Sequence, residues 1–286
     1  MGRLAERITK NPPPSAEQYY DSAASRNRIV DELHELVHYR DLVKNLVRRN
    51  LTARYKRSVL GVLWTLLDPL LMMIAMAVVF GALLAKSVPG YSVFLLSGLV
   101  IWNFFSQAST QAMMDFVYSG SLVVKVYMPK SVFAVSSIGT HLVNLLLACI
   151  PLFIIALILA RPFTPALLFL PISVLLVAMF TLGTGLLVSA LAVFFADMIN
   201  IFTLLLQLLF FLSGIFFSVE AIPESFQNII FLLPTYQMVT IFRYPMYEGQ
   251  IPPTGSLIYF SGWAIGMLFV GLFVFTRLSD EYAYRV

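Results

Sequence analysis

Six stretches of this sequence, residues 61–85, 92–114, 132–160, 166–195, 199–219 and 256–276, carry one formally charged side chain among them, Asp68. A helix of about 20 such residues crosses a hydrocarbon layer roughly 30 Å thick. Inside lipid an unpaired backbone N–H or C=O is costly, so each stretch must close its hydrogen bonds within itself as a helix. The predicted fold is therefore an all-α integral membrane protein with six transmembrane helices. Composition agrees, because 59% of the residues are hydrophobic and only 12% are charged, too little charge to cover a soluble domain of this size. The one cysteine, Cys149, lies in the apolar run "LLLACIPLF", which excludes an intrachain disulfide.

Lysine and arginine orient the chain. Residues 1–60 hold Arg3, Arg7, Lys10, Arg26, Arg28, Arg40, Lys44, Arg48, Arg49, Arg54, Lys56 and Arg57. Six crossings put these on the same side as Lys125, Lys130, Arg277 and Arg285, and leave only Lys86, Arg161 and Arg243 on the other. The rich side is the cytoplasmic one, so both termini of a multi-pass protein are expected inside. The first sixty residues are polar and charged, unlike a cleavable signal peptide, and the first span is expected to serve as the insertion signal.

Three segments follow: a cytoplasmic arm over 1–30, an amphipathic interfacial helix with a basic anchor over 31–57, and a six-span domain over 58–286. In the second, Leu33, Leu36, Val37, Tyr39, Val43, Leu46, Val47 and Leu51 share one side of a helical wheel. His34, His38, Asp41, Asn45, Arg48 and Arg49 lie opposite, the pattern of a helix lying in the membrane interface. Between spans five and six, residues 220–255 contain five prolines and two apolar runs too short to cross. Short re-entrant helices dipping into the outer leaflet are expected there.

Few motifs suggest chemistry. His34-Glu35-Leu36-Val37-His38 spells H-E-x-x-H, a zinc-binding pattern, which makes a membrane zinc metalloprotease one alternative. Both histidines sit on the polar face, however, and the only other histidine, His141, lies inside span three. No glycine begins a G-x-x-x-x-G-K-[ST], so an ATP site must come from another subunit. Asp68 and Pro69 fall about two turns into span one, where the proline predicts a bend. Phe210, Phe211, Phe216 and Phe217 cluster in span five; their ring faces suit either packing or sugar stacking. Gly262 and Gly266 form G-x-x-x-G, and Gly183 and Gly185 lie in span four; close helix packing is expected at both.

The run "HELVHYRDLVKNLVRRNLTARYKRSVLGVLWTLLDPLL" resembles the opening of type-2 ABC exporter permeases that move lipid-linked polysaccharides such as O-antigen and teichoic acid. The matching positions are Tyr39–Leu42, Arg54–Lys56, Ser58, Leu60, Gly61, Trp64 and Pro69. Further matches are "SGSLVVKVYMPKSVFAVSS" at 119–137, "FFADMINI" at 194–201, and "SGIFFSVEAIPE" leading into "LLPTYQMVTIFR". The likeness runs from residue 31 nearly to the end.

The resemblance implies a permease that is not itself an enzyme. It implies two copies of this chain working with two copies of a separate ATPase that holds ATP and magnesium, while this chain carries no cofactor. It implies a substrate in the form of a glycan on undecaprenyl diphosphate, among membrane lipids and without nucleic acid. The cytoplasmic loop Lys125, Val126, Tyr127, Met128, Pro129 and Lys130 would couple to the ATPase. Arg48, Arg49, Arg54, Lys56 and Arg57 would receive the lipid diphosphate at the inner mouth. Trp64, Pro69, Phe80 and the four phenylalanines of span five would line the path. A type-2 permease exporting a drug or lipid is the alternative within the family.

Overall fold

The computed structural model describes Glu32 and residues 36–56, 60–61, 63–84, 88–118, 129–160 and 164–278. Among these every regular element is helical. Helix α1 (Arg40–Tyr55) half-buries Leu42, Val43, Leu46, Val47, Asn50 and Leu51 and exposes Asp41, Lys44, Asn45, Arg48 and Arg49. This is the i, i+3, i+4 stripe of an amphipathic helix. Val37, expected on the apolar side, is 68% exposed, because the stripe packs against a neighbouring helix. That helix is α4 (Ser131–Ile158), and the two approach where a side chain is missing: a Cβ on Gly139 would lie 3.0 Å from Val47 Cγ2.

Helix α2 (Leu63–Leu84) contains Pro69, and α3 (Tyr91–Tyr118) is the centre of the molecule. Although α3 is the least apolar of the long helices, it is the most buried, since protein rather than lipid surrounds it. Its serines are satisfied locally: Ser97 Oγ donates to Phe94 O at 2.9 Å and Ser109 Oγ to Phe105 O at 2.6 Å. Helix α5 (Leu170–Phe194) follows a 3-10 turn at Pro165–Phe169. Helix α6 covers Met198–Leu212, and α9 (Thr254–Leu278) closes the chain.

Helices α3, α4, α9 and α5 with its leading turn are long and apolar enough to cross a membrane. The apolar parts described for α2 (Leu63–Val79) and α6 are shorter. The fifth stretch departs most from expectation. Instead of running unbroken over 199–219, the helix stops at Leu212, and Gly214 takes φ +65°, a left-handed turn that an L side chain resists. Two short helices, α7 (Glu224–Phe231) and α8 (Pro234–Arg243), occupy the following segment. Helix α8 is buried over most of its length, so it packs as an interior element.

The glycine expectations divide. A Cβ at Gly183 would strike the backbone of Met267, and one at Gly271 would strike the Gly183 carbonyl, so α5 and α9 touch backbone to backbone there. Gly185 faces Ala112, which a Cβ would meet at 3.1 Å. Gly262 and Gly266, expected to pack closely, have nothing within 4 Å of an added Cβ. The turn of α9 that reaches α5 carries Gly271 instead.

Candidate functional site

A ladder of polar residues climbs one face of α3: Asn103, Gln107, Gln111 and Asp115, at the i, i+4 spacing that keeps them on one side. Their positions lie about one to four turns from the Tyr118 end of the helix, up to roughly 20 Å along it at 1.5 Å per residue. At the bottom, Asp115 Oδ2 accepts from Ser137 Oγ and Oδ1 from Gln111 Nε2, both at 2.6 Å. Two turns above Asp115, Arg54 Nη2 donates to Gln107 Oε1 at 3.2 Å. Helix α4 answers with its own stripe of Ser137, Thr140, His141 and Asn144.

Three cavities run along this ladder. One of about 610 Å³ lies between α1, α3 and α4, bordered by Asn50, Arg54, Gln107, Gln111, Thr140 and His141. A second, of about 220 Å³, shares Arg54, Gln107 and His141 with it and adds Trp64, Asp68 and Asn144. A third, of about 380 Å³, shares Asp68 and Asn103 with the second and reaches Trp102, Gln207 and Phe210. Shared wall residues place them in series as a groove, polar residues set among apolar ones, leading from the end of α1 to the aromatic cluster of α6.

The expected site residues fall unevenly along it. Arg54 and Trp64 border the groove, as does Pro69, which is buried. Arg48, Arg49 and Lys56 are exposed and border none of the three cavities. Phe80 belongs to α2, but its side chain, like Arg57, Lys125, Val126, Tyr127 and Met128, lies outside the described residues. Pro129 and Lys130 lead directly into α4. There Glu32 Oε1 accepts from the Ser131 backbone N–H at 3.2 Å and from Ser131 Oγ at 2.6 Å, tying the segment before α1 to the end of the expected coupling loop.

Three of the four phenylalanines, Phe210, Phe211 and Phe216, form one cluster. Ring centroids lie 4.9 Å apart for Phe210–Phe216, 5.5 Å for Phe210–Phe211 and 5.8 Å for Phe211–Phe216. Only Phe211 is freely presented, at 61% exposure; Phe216 is 4% exposed, and Phe210 and Phe217 are half-buried. Trp102 of α3 joins the cluster, its ring tilted 46° to that of Phe210 at 5.6 Å. Phe216 is inside because the chain doubles back after Gly214, and Tyr91 Oη donates to its carbonyl at 2.9 Å.

That doubling back is held by Arg243, which is 7% exposed. It donates from Nη1 to Gly214 O at 2.9 Å and from Nη2 to Ile215 O at 3.3 Å, with its guanidinium carbon 3.7 Å from the Phe94 ring centroid. Burial pulls its pKa down to about 10, which leaves it charged at neutral pH. Sequence reading counted Arg243 only as an outside cation.

Nothing among the described residues supports the zinc alternative. His34 and Glu35 lie outside the described residues, His38 is exposed and His141 is buried in α4. Among the described residues no three His, Cys, Asp or Glu side chains come together as a metal site.

Comparison with known proteins gives the same part of the chain a family. A family model described as ABC-2 type transporter matches residues 41–247. The O-antigen export system permease protein RfbA of Klebsiella pneumoniae is 30% identical over 250 residues, 85% of this chain and 94% of that one. The protein of the same name from Myxococcus xanthus is 28% identical, over 90% of this chain and 98% of its own length. The polysialic acid transport protein KpsM of Escherichia coli is 26% identical, over 84% and 93%. An all-helical chain with membrane-length apolar helices, matched over most of its length in this way, belongs to the ABC-2 type transporter family.

Proposed function

We propose that this chain is the membrane-spanning subunit of an ATP-driven exporter, carrying a polysaccharide built on undecaprenyl diphosphate from the cytoplasmic to the outer face of the bacterial inner membrane. The observation that carries the reading is the groove running from Arg54 past Asp68 to Trp102 and Phe210. Its lower end offers a guanidinium to a diphosphate, and its upper end offers ring faces over which sugar C–H groups slide without tight hydrogen bonds. A long polymer needs such weak, repeated contacts, since conduction requires that each be left as readily as it is entered. The relatives named for O-antigen and polysialic acid support a polysaccharide cargo.

In this reading six spans cross the membrane with both termini cytoplasmic, α1 lies at the inner interface, and α7 and α8 dip into the outer leaflet. Two copies work together, and α2 and α6, each with a row of exposed apolar side chains such as Ile74, Val78, Leu204 and Leu208, line the passage where the copies meet. The 125–130 loop couples to a separate ATPase that holds ATP and magnesium. The test is reconstitution of the chain with its ATPase in proteoliposomes, following ATP-dependent appearance of a lipid-linked glycan on the far face. Changing Phe210 and Phe211 together to Leu should lower export several-fold at unchanged ATPase assembly. Export at the native rate in that variant would refute the aromatic path. Transport of a lipophilic drug in place of the glycan would refute the cargo.

A further inference from the structure

The cavity between α1, α3 and α4 has a chemistry that a sliding passage does not need. Its volume of about 610 Å³ is in the range of pockets that enclose small ligands. Three amides, Asn50, Gln107 and Gln111, and three hydroxyls, Ser106, Thr110 and Thr140, line it. Amides and hydroxyls both donate and accept, which is what a sugar's ring of hydroxyls requires. Among the described residues no carboxylate borders it. The nearest on the ladder, Asp115, is occupied by Ser137 and Gln111, and that contact fixes the Gln111 side chain.

Arg54 stands at the same wall, donating to the neutral amide of Gln107 and forming no ion pair among the described residues. A phosphate would add charge-assisted hydrogen bonds to this exposed guanidinium.

We infer that this cavity seats the point where the lipid's diphosphate meets its first sugar: Arg54 takes a phosphate oxygen, and the amide and hydroxyl wall reads the sugar. The inference rests on the exporter reading and adds to it the residues that recognise the sugar nearest the lipid. A phospholipid headgroup shares the phosphate but lacks the sugar, so the two sources separate experimentally.

The test uses the full-length chain with Cys149→Ala and Ser106→Cys in nanodiscs, labelled with a membrane-impermeant maleimide. The probes are undecaprenyl diphosphate bearing one hexose, bare undecaprenyl diphosphate, and phosphatidylglycerol. The hexose-bearing lipid should slow labelling about tenfold, the bare lipid less, and phosphatidylglycerol not at all. Gln111→Leu with Thr140→Val should weaken binding of the hexose-bearing lipid about tenfold, the effect of one or two lost hydrogen bonds, and leave bare-lipid binding unchanged. Arg54→Gln should weaken both. Equal protection by phosphatidylglycerol overturns the inference in favour of a general phospholipid site. Equal binding of hexose-bearing and bare lipids, insensitive to Gln111 and Thr140, overturns the sugar seat and leaves the exporter reading standing. Failure of the unsubstituted chain to bind either polyprenyl lipid overturns both. Should the double variant misfold, the labelling of Ser106→Cys in the otherwise native chain decides alone.

Discussion

Replacing Arg243 by Met keeps most of the side chain's volume and removes its charge and donors, so the loss measures what the guanidinium does. Two carbonyls, Gly214 O and Ile215 O, lose their donor inside the protein. A hydrogen bond from a charged group contributes about 1.5–3 kcal/mol, and the 3.3 Å bond to Ile215 belongs at or below the bottom of that range. The contact with Phe94 at 3.7 Å adds roughly 2 kcal/mol at a desolvated site. Against these stands the regained cost of burying a cation, several kcal/mol, including an Nε that has no partner among the described residues. The net loss should be about 3 kcal/mol, a fall in Tm of roughly 6–12 °C for a chain of this size. Thermal unfolding of purified protein at fixed detergent and protein concentration measures it. Lys at 243 should recover only part, because one ammonium cannot reproduce the two-pronged geometry. Gly98→Ala should mimic the loss in part, since its Cβ would lie 2.6 Å from Arg243 Nη2. If the Met variant melts within a degree of the parent, or Lys restores it fully, the guanidinium is not what holds the turn.

Three further outcomes are expected. The purified chain alone should release no phosphate from ATP above background, because it contains no phosphate-binding loop; robust turnover without a partner would contradict that. Gly183→Ala should destabilise by about 1–3 kcal/mol through overpacking against Met267, whereas Gly262→Ala and Gly266→Ala, with open space at their Cβ positions, should match the parent within about half a kcal/mol in monodisperse detergent melts. Glu32→Ala removes the acceptor for the Ser131 N–H and Oγ, so amide exchange at Ser131 and Val132 should speed up several-fold while exchange in the middle of α4 holds; unchanged exchange would show that the cap does not tie the N-terminal segment to α4.

Which segments are helical was legible in the sequence, because hydrophobic length and the need to satisfy the backbone are local properties. The ends of α3, α4 and α9 fall within a few residues of the expected 92–114, 132–160 and 256–276. The spacing of the polar ladder is in the sequence too, as Asn103, Gln107, Gln111 and Asp115 repeat every four residues, but nothing local shows that His141, Asn144 and Gln207, on other helices, border the same cavities.

What the sequence by itself determined, then, is an all-helical membrane chain with long apolar helices, some of which carry a polar stripe. Which stripes meet was decided only by tertiary structure. Rotation of a helix about its axis in lipid is set by packing against neighbours, not by its own period, so α3 and α4 turn their polar sides together while Gly271 rather than Gly262 comes to face α5. The break at Gly214 is of the same kind. "LLFFLSGIFFS" is apolar enough to continue as helix, and it ends where it does because Arg243, twenty-nine residues later in the chain, supplies the donors that two non-helical carbonyls need.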